Sequence, residues 1–269
     1  AGSGLLTSDQ VNLRAKPTTD SERIATLSKG DKVSILSTKG EWFEVSTGDK
    51  QGWVHQDFMI RQKDSGSESE SKKSSSSSSG SLKLGSEGDA VKTLQSSLIY
   101  LGYLKGGADG KFGVNTEAAV KLYQERNKLA VDGIAGSATQ SKVNREASTI
   151  REIISFAKDL RGIPYVRGGS NPSEGFDCSG FTRYVFEEAA GVSLAHSSKT
   201  QGSTGIKVPS SQIRAGDLVC FYSPISHVGL YIGGGNYIHS PQTGDVVKIS
   251  ELNMNKVTAI RRVVGVLVK

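Results

Sequence analysis

The sequence predicts an α+β protein with three folded parts: a small all-β barrel, a three-helix domain and a mixed C-terminal domain. The first 63 residues contain short stretches in which apolar and polar residues alternate, which is the pattern of half-buried strands. From residue 82 the apolar residues recur every three or four positions, which indicates helices. Beyond residue 146 both patterns occur, so we expect helices and strands to form one core there.

A serine-rich segment, residues 64–81, separates the first two parts and contains no apolar residue. Such a segment cannot bury enough surface to offset the entropy lost on ordering, so we expect a flexible linker. The predicted domains are therefore residues 1–63, 82–145 and 146–269.

The N-terminal domain is predicted to be a barrel or a sandwich, because glycine, proline and aspartate separate its short alternating stretches. We interpret Trp53 and His55 as residues that pack in or around this core rather than as ligand contacts. The expected strands are residues 11–14, 32–36, 42–45 and 52–54.

The middle domain is predicted from helical spacing. Its first helix has Val91, Leu94, Leu98 and Leu101 at intervals of three, four and three residues, which is one helix face. A second helix begins near residue 115. Two similar turns, residues 109–113 and 131–136, contain glycines that allow tight backbone geometry.

The C-terminal domain begins with an expected helix at residues 148–160, where Thr149 and Glu152 have the spacing of a capping box. Cys178 precedes a second apolar helical repeat, so it is predicted in the first turn of a buried helix, with Asp177 near the N-cap. Free N–H groups at a helix start stabilise a thiolate and an oxyanion. Cys178 is therefore the candidate nucleophile.

The candidate general base is His227, which lies in an alternating strand at residues 226–232. Three glycines follow, and then a second short strand at residues 236–239. A hairpin of these strands brings His239 beside His227, where it can orient the imidazole as the third member of a triad does. The predicted catalytic residues are thus Cys178, His227 and His239.

Other interpretations of these side chains remain open. One cysteine and two histidines can also bind zinc, but the sequence offers no clear fourth ligand and no closely spaced ligand pair. We predict no metal and no cofactor. Cys220, in an apolar strand, is interpreted as a buried core thiol, and His196 as either a substrate contact or a loop residue.

Composition excludes several classes of function. The net charge is +6, from 33 Lys and Arg against 27 Asp and Glu, without a dense basic run, so nucleic acid is not an expected partner. A mildly basic surface favours anionic polymers. No stretch of about 20 apolar residues occurs, so we predict no membrane span.

The first two domains resemble modules of bacterial cell-wall proteins. The motifs V-N-L-R-A-K-P, K-G-D-K-V, G-E-W-F-E-V and G-W-V-H are similar to bacterial Src-homology-3-like domains. The segments around D-G-K-F-G and D-G-I-A-G resemble the helical peptidoglycan-binding domain. Both resemblances imply binding to the wall, although a helical spacer without a ligand remains an alternative for the second.

The C-terminal domain resembles the NlpC-type cysteine peptidases, through G-I-P-Y-V-R-G-G, F-D-C-S-G-F, S-H-V-G-L-Y-I-G-G-G and N-Y-I-H-S-P. The resemblance implies a papain-like fold, the catalytic roles given above, and cleavage of the γ-D-glutamyl bond to the diamino acid of peptidoglycan stem peptides. Arg167 and His196 depart from the family pattern. The resemblance also implies that the substrate groove includes Tyr165, Asp177, Ser179, His196 and Ser197.

The expected protein is a secreted, cell-wall-associated D,L-endopeptidase that acts on peptidoglycan as a monomer. Two alternatives stay open: an amidase that cuts between muramic acid and L-alanine, and a wall-binding protein without catalysis. Acyl transfer instead of hydrolysis is a third, because the same fold supports both reactions.

Overall fold

The computed structural model describes residues 2–6, 11–18, 21–39, 42–62 and 80–265. The chain forms two compact units, Ala1–Ser76 and Ser77–Lys269. The predicted linker lies outside the described residues except for Gly80 and Ser81.

The N-terminal unit is a seven-stranded antiparallel sheet in the order β3-β2-β6-β5-β4-β1-β7. Alternate residues of its strands point into one core, as Phe43 and Val45 do, and this confirms the all-β prediction. The ring of the half-buried His55 packs edge-on against Trp42, with 5.1 Å between ring centres. The strands of the N-terminal unit are β1 (Gly2–Leu6), β2 (Val11–Arg14), β3 (Arg23–Leu27), β4 (Lys32–Lys39), β5 (Trp42–Thr47), β6 (Lys50–His55) and β7 (Met59–Gln62).

The second unit begins with three helices: α1 (Asp89–Tyr100), α2 (Val114–Arg126) and α3 (Ser137–Asp159). Two buried glutamines, one on each of the first two helices, hold the glycine turns. Gln95 accepts from the Gly110 N–H and donates to Asp109, and Gln124 does the same for Gly133 and Asp132. The similar turns seen in the sequence are therefore held by equivalent hydrogen bonds.

Helix α3 is one continuous helix of 23 residues. It contains the predicted boundary between residues 145 and 146, and no helix begins at Thr149, so the predicted capping box is wrong. The physical reason is that no glycine or proline interrupts residues 137–159. The buried residues Val143, Ala147, Ile150 and Ile154 continue one apolar face across the boundary.

The remaining chain forms a mixed layer structure. Helix α4 (Cys178–Ala190) packs against a six-stranded antiparallel sheet in the order β10-β15-β11-β12-β13-β14. The α+β class is confirmed. The other elements are β8 (Ser170–Asn171), β9 (Gly175–Phe176), α5 (Ser198–Gln201), β10 (Ile206–Lys207), β11 (Leu218–Phe221), β12 (His227–Gly233), β13 (Asn236–His239), β14 (Lys248–Glu251) and β15 (Val257–Arg262).

The three helices and the C-terminal sheet form one apolar core, which extends from Val91 to Val264. A buried polar cluster joins the same two regions. The Tyr123 hydroxyl donates to Glu146 over 2.9 Å, and Glu146 is paired with Arg214. Arg214 also donates to the carbonyl oxygen of Leu101 at the end of α1. The helical region and the sheet are therefore parts of one packed body.

Candidate active site

Cys178 is the first residue of α4, as predicted. Asp177 is the N-cap: its Oδ1 accepts from the Gly180 N–H at 2.7 Å and from the Ser179 hydroxyl at 3.0 Å. The other carboxylate oxygen, Oδ2, accepts from the Gly168 N–H at 3.1 Å. This carboxylate thus holds the start of the helix against the glycine-rich loop, and fixes the backbone that carries the thiol.

His227 and His239 lie on the predicted hairpin of β12 and β13, in which Leu230 pairs with Ile238. The turn at residues 233–235 requires glycine, because all three backbone φ angles are positive. A methyl group at Gly229 would lie 2.6 Å from the Tyr237 ring and 3.1 Å from His239 Cβ. Glycine at that position leaves room for His239 beside the strand.

The two imidazoles are joined by a hydrogen bond of 2.7 Å between His227 Nε2 and His239 Nδ1. This bond leaves His227 Nδ1 as the ring nitrogen that His239 does not contact. The second nitrogen of His239, Nε2, lies 3.0 Å from the Ser250 hydroxyl. The structure therefore contains a hydrogen-bonded array of two imidazole rings and one hydroxyl, in the order His227, His239, Ser250.

The helix start and the hairpin lie against each other, because β12, which begins at His227, packs against α4, which begins at Cys178. The backbone N–H of Val228, the residue directly after His227, acts to lower the pKa of the Cys178 thiol. The strand that carries His227 thus lies against the first turn of α4. The elements that carry the predicted nucleophile and base are therefore brought together.

Burial controls the protonation of these groups. It raises the pKa of the Cys178 thiol, although the N–H groups of Val228, Ser179 and Cys178 itself act in the opposite direction. Loss of solvent, together with the charge of Asp177, outweighs these N–H groups in the pKa of the thiol. Burial also lowers the pKa of His227 to about 4 and, with the nearby His227, that of His239 to about 3.

The predicted substrate-groove residues differ in their hydrogen-bond partners. Ser179 is buried and bonded to Asp177, and the Ser197 hydroxyl caps α5 by accepting from the Thr200 N–H. His196 Nε2 lies 2.9 Å from Asp177 Oδ2. Asp177, Ser179 and Ser197 thus each have a structural hydrogen bond, and their predicted contact with substrate stays a prediction.

Tyr165 lies near the predicted nucleophile. Burial raises the pKa of its hydroxyl, and the charges of Cys178 and Asp177 act in the same direction while Arg167 opposes them. The exposed Arg167 directly precedes Gly168, whose N–H binds the Asp177 carboxylate. Tyr165, whose backbone pairs with Phe176, and Arg167, next to Gly168, thus both lie near the start of the helix that carries Cys178.

Cys220 is fully buried on β11, in agreement with its interpretation as a core thiol. Burial raises its pKa to about 12. Such a thiol is protonated and inert at ordinary pH, which separates it chemically from Cys178.

Two residues of the site were missed by the sequence reasoning. Ser250 was not singled out, although the pattern K-I-S-E of β14 is an alternating strand beside the hairpin. Gln201 is fully buried, and its amide binds the carbonyl oxygens of Ser179 and Ala195. A polar residue within a four-residue helix gives no sequence signal for this contact.

In the part of the chain that the structure describes, no group of three or more His, Cys, Asp or Glu side chains is arranged to hold a metal ion. Among the same described ranges, no helix is both long and apolar enough to cross a membrane.

Comparison with known families gives three matches, in the order that the sequence predicts. Residues 9–60 match the bacterial SH3 domain, residues 87–143 the peptidoglycan binding domain, and residues 162–266 the NlpC/P60 family. The expected family resemblances are confirmed.

Individual relatives cover different parts of the chain. The gamma-DL-glutamyl hydrolase of Bacillus subtilis (strain 168) is 42% identical over 118 residues. The match covers 41% of this chain and only 28% of the length of that relative. The gamma-D-glutamyl-L-lysine dipeptidyl-peptidase of the same organism is 29% identical over 83% of this chain and 74% of the relative. The solved NlpC/p60 domain of the peptidoglycan hydrolase SagA is 40% identical, with a TM-score of 0.40, over 42% of this chain and 98% of that one.

Proposed function

With residues 162–266 belonging to the NlpC/P60 family, we propose that this chain is a secreted peptidoglycan hydrolase that works as a cysteine peptidase. The bond it cuts is the γ-D-glutamyl bond to the diamino acid of the stem peptide. The observation that carries the proposal is the hydrogen-bonded pair of His227 and His239, on a hairpin whose first strand packs against α4, the helix that begins at Cys178. The names of the two Bacillus subtilis relatives, each of which refers to a γ-glutamyl bond, support this choice of substrate.

The proposed reaction uses the neutral forms that burial favours. His227 takes the proton of the Cys178 thiol on Nδ1 while the sulfur attacks the amide carbon. The backbone N–H groups at the start of α4 are placed to stabilise the oxyanion that forms. The protonated His227 then gives its proton to the leaving amine of the diamino acid, and a thioester remains on Cys178.

The second half of the reaction releases the acyl group. His227 removes a proton from a water molecule, whose oxygen attacks the thioester carbon. The sulfur leaves and recovers its proton from His227, and the product is a free glutamyl carboxylate. His239 stabilises the charged His227 because its Nδ1 accepts a hydrogen bond from the Nε2–H group of His227.

The other two domains are proposed to bind the wall. The matches to the bacterial SH3 and peptidoglycan binding domains support this role. Binding near the substrate raises the local concentration of stem peptides around the catalytic site. The protein would accordingly act outside the cell, in association with the wall.

The test is the digestion of defined muropeptides by the wild-type chain and by Cys178→Ala, with product masses read by mass spectrometry. We expect the wild type to release a new amino group on the diamino acid. We expect Cys178→Ala to lose at least about a thousandfold in rate, because the thiol that forms the thioester is removed. Full turnover by Cys178→Ala would contradict the proposal.

The same experiment separates the alternatives. An amidase that cuts between muramic acid and L-alanine would release a free L-alanine amine instead of a diamino-acid amine. A wall-binding protein without catalysis would be retained on purified wall and would leave every muropeptide intact. Acyl transfer would give a product heavier than the hydrolytic one by the mass of the acceptor minus water.

A further inference from the structure

Ser250 is positioned by strand pairing next to the two histidines. In the antiparallel pair of β13 and β14, Tyr237 lies opposite Ser250 and His239 lies opposite Lys248. Residues two apart in a strand point to the same face, so these four side chains share one side of the sheet. Ser250 is therefore the diagonal neighbour of His239, and its hydroxyl reaches Nε2 of that ring at 3.0 Å.

Both ring nitrogens of His239 are engaged, and the side chain is 6% exposed. A neutral imidazole has one N–H donor and one acceptor nitrogen, so its two hydrogen bonds must run in the same sense. When Nε2 of His239 donates to Ser250, Nδ1 must accept from Nε2 of His227. His227 then has its lone pair on Nδ1, which is the arrangement that can take a thiol proton.

The opposite set of tautomers cannot perform this step. With the proton of His239 on Nδ1, that nitrogen donates to His227, and the remaining proton of His227 lies on its own Nδ1. That nitrogen then has no lone pair for the Cys178 thiol. The direction of the hydrogen bonds in the array thus decides whether His227 is a base.

We propose that Ser250 is a positioning residue that holds His239, and through it His227, in the tautomer that can accept the proton of Cys178. Its hydroxyl oxygen accepts the Nε2 proton of the buried His239. Without this acceptor the buried N–H would be unsatisfied, which favours the opposite tautomer. This proposal rests on the proposed function and deepens its mechanism.

The first test is kinetic and uses the full chain with a defined muropeptide. Ser250→Ala is expected to lower kcat by about threefold to tenfold, the range of one lost hydrogen bond. KM is expected to stay unchanged because the proposed role of Ser250 runs through His239 and not through contact with the substrate. Ser250→Thr keeps the hydroxyl on a strand position that accepts a β-branched residue, and is expected to retain most of the wild-type kcat. The exposed Ser211→Ala is the matched control and is expected to behave as wild type.

The second test is spectroscopic and needs no turnover. Long-range ¹H–¹⁵N correlation spectra of the histidine rings report which nitrogen carries the proton. We expect the Nε2–H form for both rings in the wild type and in Ser250→Thr. In Ser250→Ala we expect a population of the Nδ1–H form, with an unchanged melting temperature.

Two results would overturn the proposal. One is a wild-type kcat and wild-type ring spectrum for Ser250→Ala. Another is an equal loss of kcat in Ser250→Thr and Ser250→Ala, since the hydroxyl would then not be the cause. Failure of the proposed function looks different, because Cys178→Ala would then keep its activity whatever Ser250 does.

Discussion

At the residue scale, the chemistry depends on how far each group is removed from water. The thiol of Cys178 and the rings of His227 and His239 all have pKa values shifted toward their neutral forms by burial. A neutral thiol beside a neutral imidazole needs a base to become a nucleophile. In the proposed mechanism His227, which is hydrogen-bonded to His239 at 2.7 Å, supplies that base at every pH where it stays unprotonated.

The pKa of His227 predicts where activity is lost in acid. Because the pKa is lowered to about 4, the neutral base is present above that pH and is lost as the pH falls through it. We expect the acid limb of kcat/KM to lie near pH 4 rather than near the usual histidine value of about 6.5. The measurement is a pH–rate profile, with the melting temperature recorded at each pH to separate titration from unfolding. An activity that stays constant as the pH falls through about 4, in folded protein, would contradict the assignment of His227 as the base.

At the element scale, the start of α4 is the feature on which the site depends. The Asp177 carboxylate binds the Gly180 N–H, the Ser179 hydroxyl, the Gly168 N–H and His196. These bonds tie the first turn of the helix to two neighbouring loops. The buried Gln201 supports the same turn from its other side through the Ser179 carbonyl oxygen. The position of Cys178 is thus set by a cap as much as by the helix.

Replacing Asp177 distinguishes a structural role from substrate contact. Asp177→Ala removes all four acceptor contacts, and we expect it to lower the free energy of unfolding by about 2 kcal/mol. Asp177→Asn keeps an acceptor for the Gly180 N–H, so it should lose less than half as much. Denaturant unfolding of both variants measures the difference. If Asp177→Ala instead has wild-type stability and a raised KM, substrate contact is the main role of this side chain.

At the scale of the whole molecule, the second unit joins a helical region to the catalytic sheet through α3 and one shared core. Arg214 lies at the centre of this junction. It pairs with Glu146, donates to the Leu101 carbonyl oxygen and lies over the Tyr103 ring at 5.4 Å. Burial and Glu146 raise the pKa of Tyr123, so its hydroxyl stays protonated and donates to Glu146. The helical region is thus packed as an extension of the C-terminal sheet domain.

The buried ion pair predicts a large and specific loss of stability. Arg214→Ala leaves Glu146 as an unpaired buried charge, so we expect a loss of about 3–5 kcal/mol in the free energy of unfolding. Arg126→Ala is the matched control, because Arg126 makes an exposed contact of 3.0 Å with Gln212 at the same junction. That variant should stay within about 0.5 kcal/mol of the wild type.

Calorimetry of the full chain measures both variants. In the wild type we expect the helical region and the catalytic domain to unfold in one transition, because they share a core. In Arg214→Ala the transition should move to lower temperature or divide into two. Equal stability of Arg214→Ala and Arg126→Ala would contradict a structural role for the buried pair.

The sequence by itself determined the order of the parts, the α+β class, the helix that begins at Cys178 and the hairpin that carries His227 and His239. These features depend on the local spacing of apolar residues and on glycine turns, which the chain shows directly. The tertiary structure alone decided the rest. Ser250 meets His239 only through the register of β13 and β14, and the protonation of Cys178 depends on burial by distant residues. Both are non-local effects, because they arise from which segments pack together and not from neighbours along the chain.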